Sequence, residues 1–475
     1  MNRFYNRRSF LYSVAGGISG VALAHLLGEA GLLADAPKPE FNGGLHHRAR
    51  VKRIIHLFMN GGASPMDTFD FKPKLAELDG KKFDPGGNAK VESVTNSPGF
   101  KVMKSPFKFQ QHGQSGRWVS TVFPHLAKCV DDLAFVMSMV SKTNVHGPAS
   151  YMQNTGFTLP GFPAMGAWIS YALGSLKDDL PAFVVLPDPK GLPYNNQGNF
   201  TAGFLPVKHQ GVIIRPHLPT PIADLHPPAS AKYITPESER AGHELLKQLN
   251  RDHLAQNPGD SRLEARIASY ELAAKMQLSA PEALDVRREP QTVHALYGLG
   301  DKKTEAFGRN CLIARRLVER GVRFVQVWSG AGGPSNNWDN HANIPTELPS
   351  IAGQVDQPIA GLLRDLKQRG LWDDTLVVWT TEFGRMPFSQ GQAGRDHNGG
   401  TFVTWLAGAG VKPGVAVGQS DEWGWKAITP FYCYDLHATI LHLMGIDHTR
   451  LTVRHNGIDR RLTDVHGEVM REVIS

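Results

Sequence analysis

Five short apolar runs, each too brief for a stable helix and separated by long amphipathic stretches, constrain this chain more than any other feature. They are VKRIIHLFM (51–59), DLAFVMSMV (132–140), PAFVVLP (181–187), VRFVQVW (322–328) and TLVVWTT (375–381). Apolar at almost every position and rich in β-branched residues, such runs predict strands buried on both faces. Between them the spacing predicts helices over roughly 121–131, 236–279, 303–320 and 351–370, and TFVTWLAG, from residue 401, reads as a further strand. Residues 70–117, rich in Lys, Gly and Pro, read as irregular loops. Strands alternating with helices give an α/β fold: a mostly parallel central sheet with helices on both faces. With 475 residues the chain can bury a large core, and residues 51–475 are expected to form one domain with loop and helical insertions.

In such a sheet a ligand lies beyond the carboxyl ends of the strands, so the polar residues that follow each strand are the first candidates for chemistry. Asn60 follows the first strand, Thr143-Asn144-Val145-His146 the second, Trp338-Asp339-Asn340-His341 the strand at 322, and Glu382 the strand at 375. Asp396 and His397 sit on the stretch leading into TFVTWLAG. Asp339 and His341 are two residues apart, so in an extended segment both side chains leave from one face and can converge on one ion. With His397 as a third donor, and Glu382 and Asn60 completing the site, the set suits a divalent metal; zinc is the first expectation, calcium or magnesium the alternatives. Such a cation would polarise an ester oxygen or activate water. Arg385 is the candidate for holding the ester's oxyanion, because a guanidinium offers the forked donors that sulfate and phosphate oxygens fit; Asp67, Arg395 and Asp396 form the next tier. Ser64 and Ser150 are nearby hydroxyls. His437 and His442 fall on an amphipathic helix and read as structural, and Trp423 and Trp425 either line a sugar cleft or pack the end of the fold.

The N-terminus carries Arg7-Arg8, then Phe10-Leu11 and a mildly apolar run broken by Gly16, Gly17, Gly20, His25 and Glu29. Residues 1–36 therefore read as a twin-arginine export signal rather than a stable membrane span, followed by a polar linker over 37–50. The expected location is periplasmic or extracellular, and the expected partner of this segment is the twin-arginine export machinery. A net charge of +7 is modest, and the basic residues are scattered without an arginine-rich helix, which argues against a nucleic-acid partner. Three cysteines, Cys129, Cys311 and Cys433, give neither a disulfide framework nor a cysteine zinc site.

Several longer motifs carry a family likeness. LFMNGGASPMDTFD (57–70), TEFGR (381–385), GRDHN (394–398), WLAGAGVKPG (405–414) and LTVRHNGIDRRLTDVHG (451–467) resemble the exported bacterial family called domain of unknown function 1501, often described as sulfatase-like, over nearly the whole chain. The order of strand and NGG, Asp339-Asn340-His341, Thr381-Glu382-Phe383-Gly384 and a distal histidine is also similar to the alkaline phosphatase and sulfatase superfamily. That resemblance implies hydrolysis of phosphate or sulfate monoesters, on a small molecule or a polysaccharide, with Asp339, His341 and His397 matching one metal position. In HGPASYMQNTG (146–156), Pro148 and Thr155-Gly156 match the superfamily pattern, which puts His146 where relatives carry Ser, Thr or a modified Cys. Asn60 stands where an Asp ligand is expected, and Glu382-Phe383 replaces an Asp-His pair. His146 is then a nucleophile, an added ligand that restores a second ion beside Glu382, or a helix-start residue with neither role. The resemblance implies an exported metal-dependent hydrolase; the altered positions leave as the alternative a non-catalytic exported protein of the same fold that binds a polysaccharide or a partner protein.

Overall fold

The computed structural model describes residues 45–86, 91, 100–223, 230–231, 233–257, 261–333 and 337–475; the export segment expected at 1–36 lies outside them. The five apolar runs become β1 (Arg53–Met59), β4 (Leu133–Val140), β5 (Phe183–Leu186), β7 (Phe324–Ser329) and β8 (Thr375–Thr380). Phe109–His112 and Arg117–Ser120 form a hairpin, β2 and β3, and Val212–Ile213 is a short edge strand, β6. A second hairpin, β9 (Gly384–Gln390) and β10 (Gly394–Asn398), precedes β11 (Phe402–Gly408). Strands β12 (Ala416–Val417) and β13 (Phe431–Tyr432) flank β4, and β14 (Val453–His455) pairs with β15 (Ile458–Arg460).

The main sheet runs β12-β4-β11-β8-β1-β7-β5-β6, with β13 also on β4. Only β11 runs against its neighbours, β4 and β8; the other pairs are parallel. The fold is thus a mixed, mostly parallel α/β sheet. Because the pleat alternates, Ile55, Leu57 and Met59 of β1 face one hydrophobic layer, closed by the helices Glu305–Glu319 and Ile344–Gln368, while Ile54 and Phe58 face the other, closed by Met165–Leu173 and Cys433–Leu443. The helix expected over 236–279 is two helices, Pro236–Gln256 and Ser261–Leu284, and that expected over 121–131 is a 3-10 segment at Leu126–Asp132. Within 70–117 the chain makes the helix Pro73–Glu77 as well as the β2–β3 turn. No described helix is long and apolar enough to cross a membrane.

Two histidines lie in the layer under Met165–Leu173. His56 of β1 accepts from Gln326 Nε2 at 3.1 Å, and His437 Nε2 donates to the carbonyl of Gln153 at 2.9 Å. Burial pushes the His56 imidazole down to about 3, with the nearby His437 adding to the effect, and burial pushes His437 down to about 4. Both groups are neutral in either state above their ordinary range near 6.5. As pH falls below it, the unfolded chain takes two protons that the folded chain refuses, so stability drops until the folded values are reached. Between pH 6 and pH 5 the two sites are expected to remove about 2 kcal/mol, read as a fall in the urea midpoint, and a variant with Gln at both positions should flatten that slope.

Candidate metal centre

The carboxyl ends of β1, β4, β5, β7 and β8 lie on one edge of the sheet, and the segments leaving them meet there. His146 is the first residue of the helix His146–Thr155, which follows β4. Asp339 and His341 come from the segment after β7, Glu382 directly follows the short link after β8, and His397 sits on β10 rather than on a loop. One donor atom from each of His146, Asp339, His341 and His397 lies within 4.8 Å of the other three.

The outer nitrogen of each imidazole is already committed. His146 Nδ1 donates to Glu382 Oε1 at 2.6 Å, His397 Nδ1 donates to the carbonyl of Asn144 at 2.8 Å, and His341 Nδ1 donates to Gln390 Oε1. Each Nε2 lone pair therefore points inward, the arrangement by which outer partners fix the tautomer of ligating histidines. His341 Nε2 and His397 Nε2 stand 2.8 Å apart, and Asp339 Oδ1 is 2.7 Å from the first and 3.1 Å from the second. His146 Nε2, 3.2 Å from Asp339 Oδ2, is buried without a hydrogen bond. Two inward lone pairs at contact distance repel unless a cation lies between them. Three imidazole nitrogens and one carboxylate are the donors a zinc-like ion takes, so the residues fit the divalent metal that the sequence suggests.

The electrostatics follow from burial and from Asp339. Burial opposes ionisation of Asp339, but the close contacts of His146, His341 and His397 and the Arg385 charge outweigh it and hold the carboxyl far below the usual range. Burial lowers His146, yet its contacts with Asp339 and Glu382 raise it overall. His397 is pushed down to about 4, chiefly by burial, with its contact to Asp339 opposing and the Arg385 charge adding.

Arg385 has no exposed surface. Its Nη2 donates to Asp339 Oδ1 at 2.6 Å and its Nε to the carbonyl of Gly62 at 2.8 Å, while the rest of the fork reaches the carbonyls of Gly61, Trp338 and Arg395. It thus holds the Asp339 carboxylate rather than facing solvent. Glu382 lies behind His146 and also accepts from the Gly61 N–H at 2.8 Å. Asn60 donates to the carbonyls of Gly330 and Ala331, and its Oδ1 is buried without a hydrogen bond. Ser64 donates to Asp67 and Ser150 to Asn199. Trp423 and Trp425 pack with Met66, Leu75, Phe83 and Phe388 at the end of the fold.

Tyr194 belongs to the site although no motif marks it. It follows β5, its ring stacks on His146 with centroids 4.3 Å apart, and its hydroxyl donates to the carbonyl of Gly333 at 2.9 Å and lies 3.5 Å from Asp339 Oδ2. Burial, then the Asp339 charge, pushes its hydroxyl up to about 12. Gly394 of β10 lies directly against the carbonyl of His341, where a Cβ would overlap it. Gly394→Ala is therefore expected to displace the Asp339–His341 segment and weaken metal binding by about tenfold or more, measured by competition with a chromogenic chelator.

No curated protein matches the chain. Among solved structures, a sulfatase from Pseudoalteromonas sp., PsFucS1, is similar over 93% of this chain and 77% of its own, at 11% identity and a TM-score of 0.36. The lipoteichoic acid synthase LtaP from Listeria monocytogenes is similar over 88% of this chain and 78% of its own, at 9% identity and a TM-score of 0.34. The alkaline phosphatase from the Antarctic bacterium TAB5 is similar over 83% of this chain and 98% of its own, at 10% identity and a TM-score of 0.31. These are distant likenesses. The family model described as a protein of unknown function, DUF1501, matches residues 51–474, and the chain belongs to that family.

Proposed function

We propose that the protein is an exported, metal-dependent hydrolase of sulfate or phosphate monoesters, acting in the periplasm or outside the cell. The observation that carries this is the convergence of three inward-facing imidazole nitrogens on one carboxylate. The paired arginines near residue 7 and the sulfatase-like motifs support the export route and the ester class. A divalent ion held by His146, Asp339, His341 and His397, zinc by donor chemistry, would supply Lewis acidity toward an ester oxygen and toward water. Glu382, Gln390 and the Asn144 carbonyl orient the imidazoles, and Arg385 fixes Asp339. With its Nδ1 tied to Glu382 and its Nε2 turned to Asp339, His146 serves as a ligand, not as the nucleophile. Because Ser64 and Ser150 already donate elsewhere, water is the attacking group, and the ester oxygen leaves with the alcohol.

Those same two hydroxyls favour a second reading, a binding protein that keeps the fold and the cleft without turnover. A panel of aryl sulfates and aryl phosphates, assayed with metal-analysed wild type and His341→Ala, separates the two. The hydrolase reading expects one divalent ion per chain and turnover that falls about a hundredfold or more in the variant. Turnover equal in both proteins removes the metal assignment, and metal without turnover on any ester leaves the binding protein.

A further inference from the structure

A cavity of about 540 Å³ opens beside the candidate metal centre at the carboxyl end of β4. Its wall includes Lys142, Asn144, Asn398, Trp425 and Lys426, and no acidic side chain lines it among the described residues. Each ammonium is set over an aromatic ring. Lys426 Nζ lies 4.1 Å from the centre of the Trp425 ring, and Lys142 Nζ lies 4.6 Å from that of Tyr434 and donates to its hydroxyl at 3.1 Å. Neither forms an ion pair with a carboxylate among the described residues; Lys426 lines this cavity, and Lys142 stands between it and a neighbouring recess lined by Tyr434 and Asp435. Two such ammoniums in a polar recess form an attractive site for an anion with several oxygens.

The recess is also physically joined to the candidate centre. The backbone carbonyl of Asn144 accepts from His397 Nδ1, and the side-chain Oδ1 of the same residue accepts from the Gly399 N–H at 2.5 Å. One residue therefore forms both the back of a metal-ligating histidine and the wall of the cavity. The volume falls in the range that holds a small ligand, enough for one sugar-sized unit bearing an ester group.

We propose that this cavity is a second anion subsite, which takes a sulfate or phosphate group on the unit next to the one whose ester is cleaved. The substrate is then a polyanionic carbohydrate with oxyanion esters on neighbouring units, not an isolated monoester. This assignment rests on the hydrolase reading for its substrate, but the binding event it describes can be measured without turnover.

The test is calorimetric titration of the metal-loaded full chain with sucrose octasulfate and with inositol hexakisphosphate. Wild type is expected to bind at least one of them about tenfold or more tightly than Lys142→Ala/Lys426→Ala, with affinity restored in Lys142→Arg/Lys426→Arg. Which probe shows the loss distinguishes sulfate from phosphate. Equal affinity in wild type and the alanine pair overturns the proposal. So does an equal loss in the exposed pair Lys81→Ala/Lys82→Ala, which would reduce the effect to bulk charge. Metal content separates the two readings. Lysine-dependent binding in a chain that holds no metal keeps the subsite and removes the hydrolase, whereas a metal-bearing chain indifferent to the lysines removes the subsite alone.

Discussion

Asp339→Ala is expected to abolish metal binding and to destabilise the fold by about 3–5 kcal/mol, because it removes the carboxylate that pairs, among the described residues, with a fully buried guanidinium. Arg385 Nη2 sits 2.6 Å from Asp339 Oδ1 and has no exposed surface, so after the substitution it keeps as partners backbone carbonyls and the His341 imidazole, none of them an anion. The three imidazoles lose the carboxylate they surround at the same time. Asp339→Asn separates the two effects: shape and most packing survive, while the carboxylate donor is gone. Metal content measured by mass spectrometry should fall from about one ion per chain to near zero in both variants. The urea midpoint should fall much further for Ala than for Asn. A Asp339→Ala protein with an undiminished metal content would falsify the assignment of this residue.

Asp67→Ala should lower stability by a similar amount, about 3–5 kcal/mol, for a related reason. Arg395 Nε and Nη2 grip the Asp67 carboxylate at 2.6 and 3.2 Å, Ser64 donates to it at 2.5 Å, and neither ionic side chain is exposed. The pair ties the turn after β1 to β10, the strand that carries His397. Removing the acid strands a buried charge and loosens that strand, so a loss of metal affinity should accompany the loss of stability. The double variant Asp67→Ala/Arg395→Leu tests the cause: with both charges gone, much of the lost stability should return in a denaturant titration, as replaced buried pairs commonly show. If the double variant is less stable than Asp67→Ala, the stranded guanidinium is not the origin of the effect.

Much of this architecture was legible because buried parallel strands leave a plain record. Nearly every position of IIHLFM and LVVWT must be apolar when both faces are covered, and the short runs become β1 and β8. The rule that chemistry gathers beyond strand ends leads directly to Asp339, His341, Glu382 and His146. The same rule, followed past the strand at 181–187, reaches Tyr194; the Asn-rich loop around it, with Asn195 and Asn196 at φ of 65° and 50°, gives no hint that the ring will stack on a histidine. Outer partners were harder still. Gln390 and the carbonyl of Asn144 orient imidazoles through tertiary contacts that leave no spacing pattern, and a backbone carbonyl has no residue identity to read. Gly394 opens the GRDHN motif, and its lack of a side chain is set by how closely His341 passes. The role of Arg385 differed for the same reason: its chemistry suits an oxyanion, but burial decides that it holds a neighbour.

The four candidate donor residues are spread across more than half the chain, from a helix start at residue 146 to β10 at 394–398. A chain made only as far as His341 carries His146, Asp339 and His341 but lacks the fourth donor, His397 of β10. If the four residues hold an ion, the complete donor set forms only once β10 has paired with β9. The identity of the bound ion would then report the metal supply of whichever compartment the chain occupies at that moment, making the protein a record of where its own folding ended.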